Sequence, residues 1–204
     1  MHFAHLFVTL QAMNENVIIA DANFVDRVAF DLTVNFERML ERRIPKADIA
    51  RWTECIALDG GLRAGEHQTM VILVHDKSVT ELENFAPGKL DEELNGMAFK
   101  GNLGEFCFST PNGEDYVDKD ELFLDTLSTV LQQEGVKRVM VIPDESILNK
   151  VREVIRKMDN NEKFITLFAM SPQTGRNFQQ EILGYSLMAA LGIKGEEIEG
   201  KSEK

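Results

Sequence analysis

The sequence feature that most constrains the fold is a short apolar run that ends in an acidic residue and leads directly into an amphipathic helix. Residues 17–20 read Val-Ile-Ile-Ala and are followed by Asp21, after which apolar residues recur at steps of three and four as far as Leu40. A continuous apolar run is typical of a parallel strand that is buried on both faces, and the later spacing is typical of a helix with one apolar face. The stretch therefore predicts a buried strand with Asp21 at its end, followed by a helix.

The same alternation of strands and helices continues along the chain. Further strands are predicted at residues 69–74, 105–109, 136–142 and 164–170. Further helices are predicted at about residues 49–59, 120–134, 147–158 and 176–191. Such alternation is typical of right-handed βαβ crossovers. We therefore predict an α/β fold, a three-layer sandwich with a mainly parallel central sheet and helices on both faces.

Length and local composition predict one folded domain, with an extension at its N-terminus and a charged tail at its C-terminus. The chain has 204 residues, of which 44% are hydrophobic, and this is enough for a single core. We expect an N-terminal extension over residues 1–13, with Met13 as a candidate start, because this stretch lacks the positive start and longer apolar middle of a signal peptide. One α/β domain is expected over residues 14–194, followed by a disordered charged tail over 195–204.

Charge and cysteine content restrict the partners and the compartment. The net charge of -12 disfavours non-specific binding to nucleic acid or to an anionic membrane surface. No apolar run approaches the roughly 18 residues that a membrane helix needs, so no membrane partner is expected. Cys55 and Cys107 lie far apart without metal-type spacing, which favours buried thiols in a reducing, cytoplasmic environment.

Several acidic residues lie where a metal site could form. Asp21, Asp76 and Asp144 follow predicted strands, and Asp125 lies in the helix before the strand that ends at Ile142. The carboxyl ends of parallel strands share one edge of the sheet, so carboxylates there can converge. Converging carboxylates suit Mg²⁺ or Mn²⁺, and such an ion activates water and neutralises charge on a phosphodiester.

Helix capping is the alternative explanation for these acids. A strand-to-helix turn favours Asp or Asn as the N-cap, and an acidic first turn complements the helix dipole. Capping and first-turn placement account for Asn23, Asp26 and Asp144. They do not account for Asp21, expected several residues before its helix, or for Asp125, expected on or near the apolar helix face.

Three stretches of the chain resemble the PIN-like nucleases, and the NYN branch most closely. They are Asp21 at the first strand end, Lys-Asp-Glu-Leu-Phe-Leu-Asp at 119–125, and Val-Met-Val-Ile-Pro-Asp-Glu-Ser at 139–146. The resemblance implies a parallel α/β sandwich that cleaves RNA, or another phosphodiester, with Mg²⁺ or Mn²⁺ and a water nucleophile. It maps the catalytic and metal-binding carboxylates onto Asp21, Asp125 and Asp144.

Two residues depart from the family's pattern. Ser146 stands where the family commonly repeats an Asp, and Lys119 stands where an acidic residue is expected ahead of Leu122. The chain as a whole also resembles an uncharacterised protein family from gut Bacteroidota. A haloacid dehalogenase-type phosphatase also begins with a strand and an Asp, but Asn23 stands where its second Asp would be.

Two further functions remain open for the same fold. The chain could be a non-catalytic binding or structural module, or it could bind a small molecule at the same edge of the sheet. The predicted last helix carries Leu183 and Leu187 beside a face that includes Tyr185. A helix that is apolar on nearly two sides is either well buried or a partner surface, so a homodimer through this helix is also expected as an alternative to core packing.

Overall fold

A computed structural model describes residues 14–113, 118–157 and 163–202. The strands are β1 (Asn16–Asp21), β2 (Ala47–Asp48), β3 (His67–Val74), β4 (Phe85–Ala86), β5 (Ala98–Gly101), β6 (Gly104–Ser109), β7 (Arg138–Ile142), β8 (Phe164–Ala169) and β9 (Gln179–Ile182). The α-helices are α1 (Ala22–Leu40), α2 (Ile49–Asp59), α3 (Lys119–Gln132), α4 (Leu148–Arg156), α5 (Leu183–Ala190) and α6 (Gly195–Ser202). A π-helical turn spans Leu90–Leu94 and a 3₁₀ turn spans Glu145–Ile147. The predicted N-terminal extension, residues 1–13, lies outside the described residues.

The central sheet is doubly wound around β1. Among the described residues it has seven strands in the order β5-β6-β3-β1-β7-β8-β9, in which β5 and β6 pair antiparallel and the other neighbours pair parallel. From β1 the chain proceeds outward through β3 to the edge strand β5 and its neighbour β6, and then returns through α3 to β7 on the other side of β1. The order of strands therefore reverses at β1, and in sheets of this kind ligands bind outside the carboxyl ends of the strands at the reversal.

Helices cover both faces of the sheet, which confirms the predicted three-layer sandwich. Successive side chains of a strand point to opposite faces, so Ile18 packs with α1, α2 and α5 while Ile19 packs with α3 and α4. Every residue of β1 is buried, as its uninterrupted apolar run predicts. The core therefore lies on both sides of β1 and holds its carboxyl end, at Asp21, in a fixed position.

The structure differs from the sequence-based prediction at the C-terminal end. The helix expected from about residue 176 begins instead at Leu183, because Gln179–Ile182 forms β9 beside β8 and alternates between exposed and half-buried residues. Of the tail expected to be disordered, residues 195–202 form α6. Glu197 accepts a hydrogen bond from the backbone N–H of Lys194 and pairs with Arg42 at 2.9 Å, and these contacts hold the helix against the domain.

Candidate functional site at the carboxyl edge of the sheet

Asp21 lies at the carboxyl end of β1 and also caps α1. Its Oδ1 accepts a hydrogen bond from the backbone N–H of Phe24 at 2.9 Å, and the side chain is completely buried. The helix begins at Ala22, directly after the strand, so the expectation that capping cannot explain Asp21 is wrong. Asn23, which was expected to be the cap, lies inside the first turn of the helix.

The second oxygen of Asp21 binds a lysine. Lys119 Nζ lies 2.5 Å from Asp21 Oδ2, and only 12% of the lysine side chain is exposed. Burial raises the pKa of Asp21 against the lowering effects of the Lys119 ammonium and the Phe24 N–H. Burial alone would lower the pKa of Lys119, but the hydrogen bond and the charge of Asp21 outweigh it and raise that pKa. The pair is therefore an ammonium–carboxylate contact almost withdrawn from water.

Asp144 lies beyond β7, on the other side of the reversal point. Its Oδ1 accepts a hydrogen bond from the backbone N–H of Ser146, and its Oδ2 lies 2.8 Å from a guanidinium nitrogen of Arg27. Partial burial of the carboxyl acts against ionisation, but the Ser146 N–H and the Arg27 guanidinium outweigh it and lower the pKa of Asp144 to about 2. The charge of Asp144 also acts on Asp21, so these two predicted site residues share one electrostatic environment.

Asp125 does not join them. It lies in α3, where its side chain is exposed, while the apolar face of that helix, which includes Leu122, is buried. The expectation that Asp125 lies on or near the apolar face is therefore wrong, and its charge needs no buried partner. Among residues 14–113, 118–157 and 163–202, no three His, Cys, Asp or Glu side chains are placed to hold a metal ion together.

The turn after β3 contributes polar groups whose contacts with one another were not predicted from the sequence. Asn23 Nδ2 donates to Asp76 Oδ2 at 2.8 Å, and Asn23 Oδ1 accepts from the Asp76 backbone N–H. His75, in the same turn, is buried with its ring nitrogens near the backbone oxygens of Asp76 and Thr110. An Asn early in the helix and an acidic residue after a neighbouring strand were the available sequence signals for this contact.

A groove opens beside this cluster, between α1 and residues 78–84. Its volume is about 580 Å³, and its lining from α1 consists of Asn23, Asp26, Arg27 and Phe30. The opposite wall is fixed by Asn84, whose backbone N–H and side-chain amide both bind the Asp26 carboxylate, at 2.8 and 3.0 Å. Phe30 is 53% exposed. The groove thus combines polar walls with an exposed aromatic ring.

The fold and this edge define a doubly wound α/β domain. At its strand reversal the carboxylates of Asp21 and Asp144 are paired with Lys119 and Arg27. The chain belongs to a protein family of unknown function, DUF6621, whose profile matches residues 11–198. No curated protein and no solved structure matches the chain. Within the part of the chain that the structure describes, no helix is both long and apolar enough to cross a membrane.

Proposed function

We propose that this domain is a non-catalytic binding module, which takes its ligand in the groove beside the carboxyl edge of the sheet. The observation that carries the proposal is that the acids of the edge already have partners within the chain. Lys119 binds Asp21, Arg27 binds Asp144, and Asn23 binds Asp76. The groove, in contrast, is open to solvent.

The donor set at this edge does not suit a catalytic divalent ion. Mg²⁺ requires near-octahedral oxygen ligands at short range, and an ion that approached Asp21 would also approach the Lys119 ammonium, which lies 2.5 Å from the same carboxylate. Like charges at such a separation repel strongly where water is scarce. Asp125, the third carboxylate that the PIN-like resemblance implies, is exposed on α3.

The groove is an open cleft whose volume can accommodate a small ligand. About 580 Å³ lies within the range of pockets that hold small ligands, and such pockets usually combine apolar surface with a few positioned polar groups. Phe30 and Val79 supply apolar surface, while the bonded pair of Asp26 and Asn84 holds the two walls together. Arg27 links the groove to Asp144 and so to the strand ends.

A screen of neutral and charged small-molecule fragments, followed by amide NMR, tests where ligands bind. Fragments should shift the signals of residues 23–30 and 78–84, and Phe30→Ser should weaken these shifts without changing the rest of the spectrum. Tyr185→Ser removes a ring that is also exposed but lies outside the groove, and it should leave fragment binding unchanged. Binding elsewhere, or equal binding by both variants, would contradict the proposal.

The metal-dependent nuclease remains the rival function, and a cleavage assay separates the two. A fluorescent single-stranded RNA is incubated with the wild-type protein and with Asp21→Asn at millimolar Mn²⁺. If the domain is a non-catalytic binding module, the wild-type protein should cleave no more RNA than the Asp21→Asn variant does. Mn²⁺-dependent cleavage that disappears in Asp21→Asn would establish the nuclease and overturn the proposal.

A further inference from the structure

Lys119 stands at a position that its own helix does not favour. It is the first residue of α3, and the helix is capped by Asp118, whose carboxylate accepts from the Glu121 backbone N–H at 2.8 Å. The N-terminal end of a helix carries partial positive charge, so a cation there is unfavourable. The position of Lys119 therefore requires an explanation outside the helix.

The surroundings of the ammonium supply that explanation. Lys119 Nζ lies 2.5 Å from Asp21 Oδ2 and 3.8 Å from Asp120 Oδ1, and the charges of Asp76 and Asp144 also act on the Asp21–Lys119 pair. Asp21 has no exposed surface, so its charge cannot be satisfied by solvent. An ionised carboxylate that is buried without a counter-charge is strongly unfavourable, so Asp21 requires a neighbouring cation in order to remain ionised.

We propose that Lys119 is the resident cation of this carboxylate cluster, and that its covalently attached ammonium serves at the strand reversal in place of a divalent metal ion. The ammonium neutralises Asp21 and draws the start of α3 onto the end of β1. The buried carboxylate of Asp21 is then neutralised without any ion from solution. This inference does not depend on the groove, because the groove can bind or fail to bind a ligand whichever cation the cluster holds.

Paramagnetic NMR on the wild-type protein tests the inference without any substitution. Mn²⁺ broadens the signals of nuclei near its binding site, so titration with MnCl₂ should leave the amide signals of Asp21, Phe24 and Lys119 as sharp as those of the sheet interior. The Lys119 ammonium should give a slowly exchanging ¹⁵N signal because it is buried and hydrogen-bonded. Selective broadening around Asp21 at millimolar Mn²⁺ or below would overturn the inference.

Chemical rescue of Lys119→Ala tests whether the site selects an ammonium. Removal of the side chain should lower Tm, and ethylammonium chloride should restore about 2–4 °C of it relative to sodium chloride at equal ionic strength, as expected for a ligand at several times its Kd. The double variant Asp21→Asn/Lys119→Ala has no carboxylate to bind the amine and should show no rescue.

Lys137→Ala is the matched control for the rescue experiment. Lys137 also lies 2.5 Å from a carboxylate, that of Glu15, but its side chain is 65% exposed. It should show little loss of Tm and no rescue by ethylammonium. Equal behaviour of the Lys119 and Lys137 variants, or equal rescue in the double variant, would overturn the inference. If Lys119→Ala does not fold, the wild-type Mn²⁺ titration decides the question alone.

Discussion

Replacing Lys119 with Met should destabilise the domain far more than the same change at an exposed lysine. Lys119→Met keeps most of the side-chain volume but leaves the buried Asp21 carboxylate without its counter-charge. Removal of one partner from a buried ion pair typically costs about 3–5 kcal/mol, which is a large part of the about 5–15 kcal/mol that stabilises a domain. Lys137→Met breaks a pair with the same 2.5 Å contact on the surface, and it should cost less than about 1 kcal/mol.

Urea denaturation measures this difference directly. Trp52 is the single tryptophan and is completely buried, so its fluorescence reports global unfolding. We expect Lys119→Met to lower the midpoint without a change in m, because the same surface is exposed on unfolding. The double variant Asp21→Asn/Lys119→Met should recover part of the loss, since the amide keeps the cap acceptor and removes the uncompensated charge.

The pH dependence gives a second signature of the same contact. Burial already raises the pKa of Asp21, and loss of Lys119 removes an interaction that opposes this rise. In the folded Lys119→Met variant Asp21 then binds a proton more tightly than it does in the unfolded chain. The stability of the variant should therefore increase as pH falls toward the ordinary Asp pKa near 4. The reasoning is refuted if Lys119→Met costs no more than Lys137→Met at pH 7, or if its penalty does not shrink toward pH 4.

Three further predictions concern other parts of the structure. The pKa of Asp144 is lowered to about 2, so its contribution to the stability of the fold is present above about pH 4 and is lost as pH falls toward 2. The stability difference between wild type and Asp144→Asn should therefore shrink over that range in acid titrations followed by circular dichroism. Gly104 has φ +108° and a Cβ there would lie 2.0 Å from the His67 carbonyl oxygen, so Gly104→Ala should cost at least about 1–3 kcal/mol in urea denaturation, and a loss under 0.5 kcal/mol would contradict the register of β3 with β6. Asn84→Ala removes side-chain hydrogen bonds to Asp26, so amide hydrogen exchange should accelerate over residues 78–84 and remain unchanged in β1.

Long apolar patterns made the centre of the fold predictable. The uninterrupted run before Asp21 and the three-to-four spacing after it identified β1 and α1, because burial on both faces of a sheet leaves a clear pattern in the sequence. The short elements were not predictable in the same way. Strand β9 has only four residues, and its pairing with β8 outweighed a spacing that favoured helix. Tertiary contacts decide such segments, and local sequence does not record them.

The location of the candidate site could be predicted from the sequence, but the contacts within it could not. The strand pattern located Asp21 and Asp144 at one edge of the sheet, and the structure places both there. The helical spacing left open whether Asp125 is exposed, because successive residues are about 100° apart and Asp125 lies at the border of the apolar face. Nor could the sequence show that Lys119 reaches Asp21, since the residues are 98 positions apart and meet only after the chain crosses the sheet.

A crystal structure of the wild-type protein grown in millimolar MnCl₂, with data collected at the manganese absorption edge, tests the central claim most directly. The account predicts Lys119 Nζ within hydrogen-bond distance of Asp21 and no anomalous peak between Asp21 and Asp144. An anomalous peak bound by Asp21, with the Lys119 side chain displaced, would contradict it and would restore the metal-dependent hydrolase as the function of this edge.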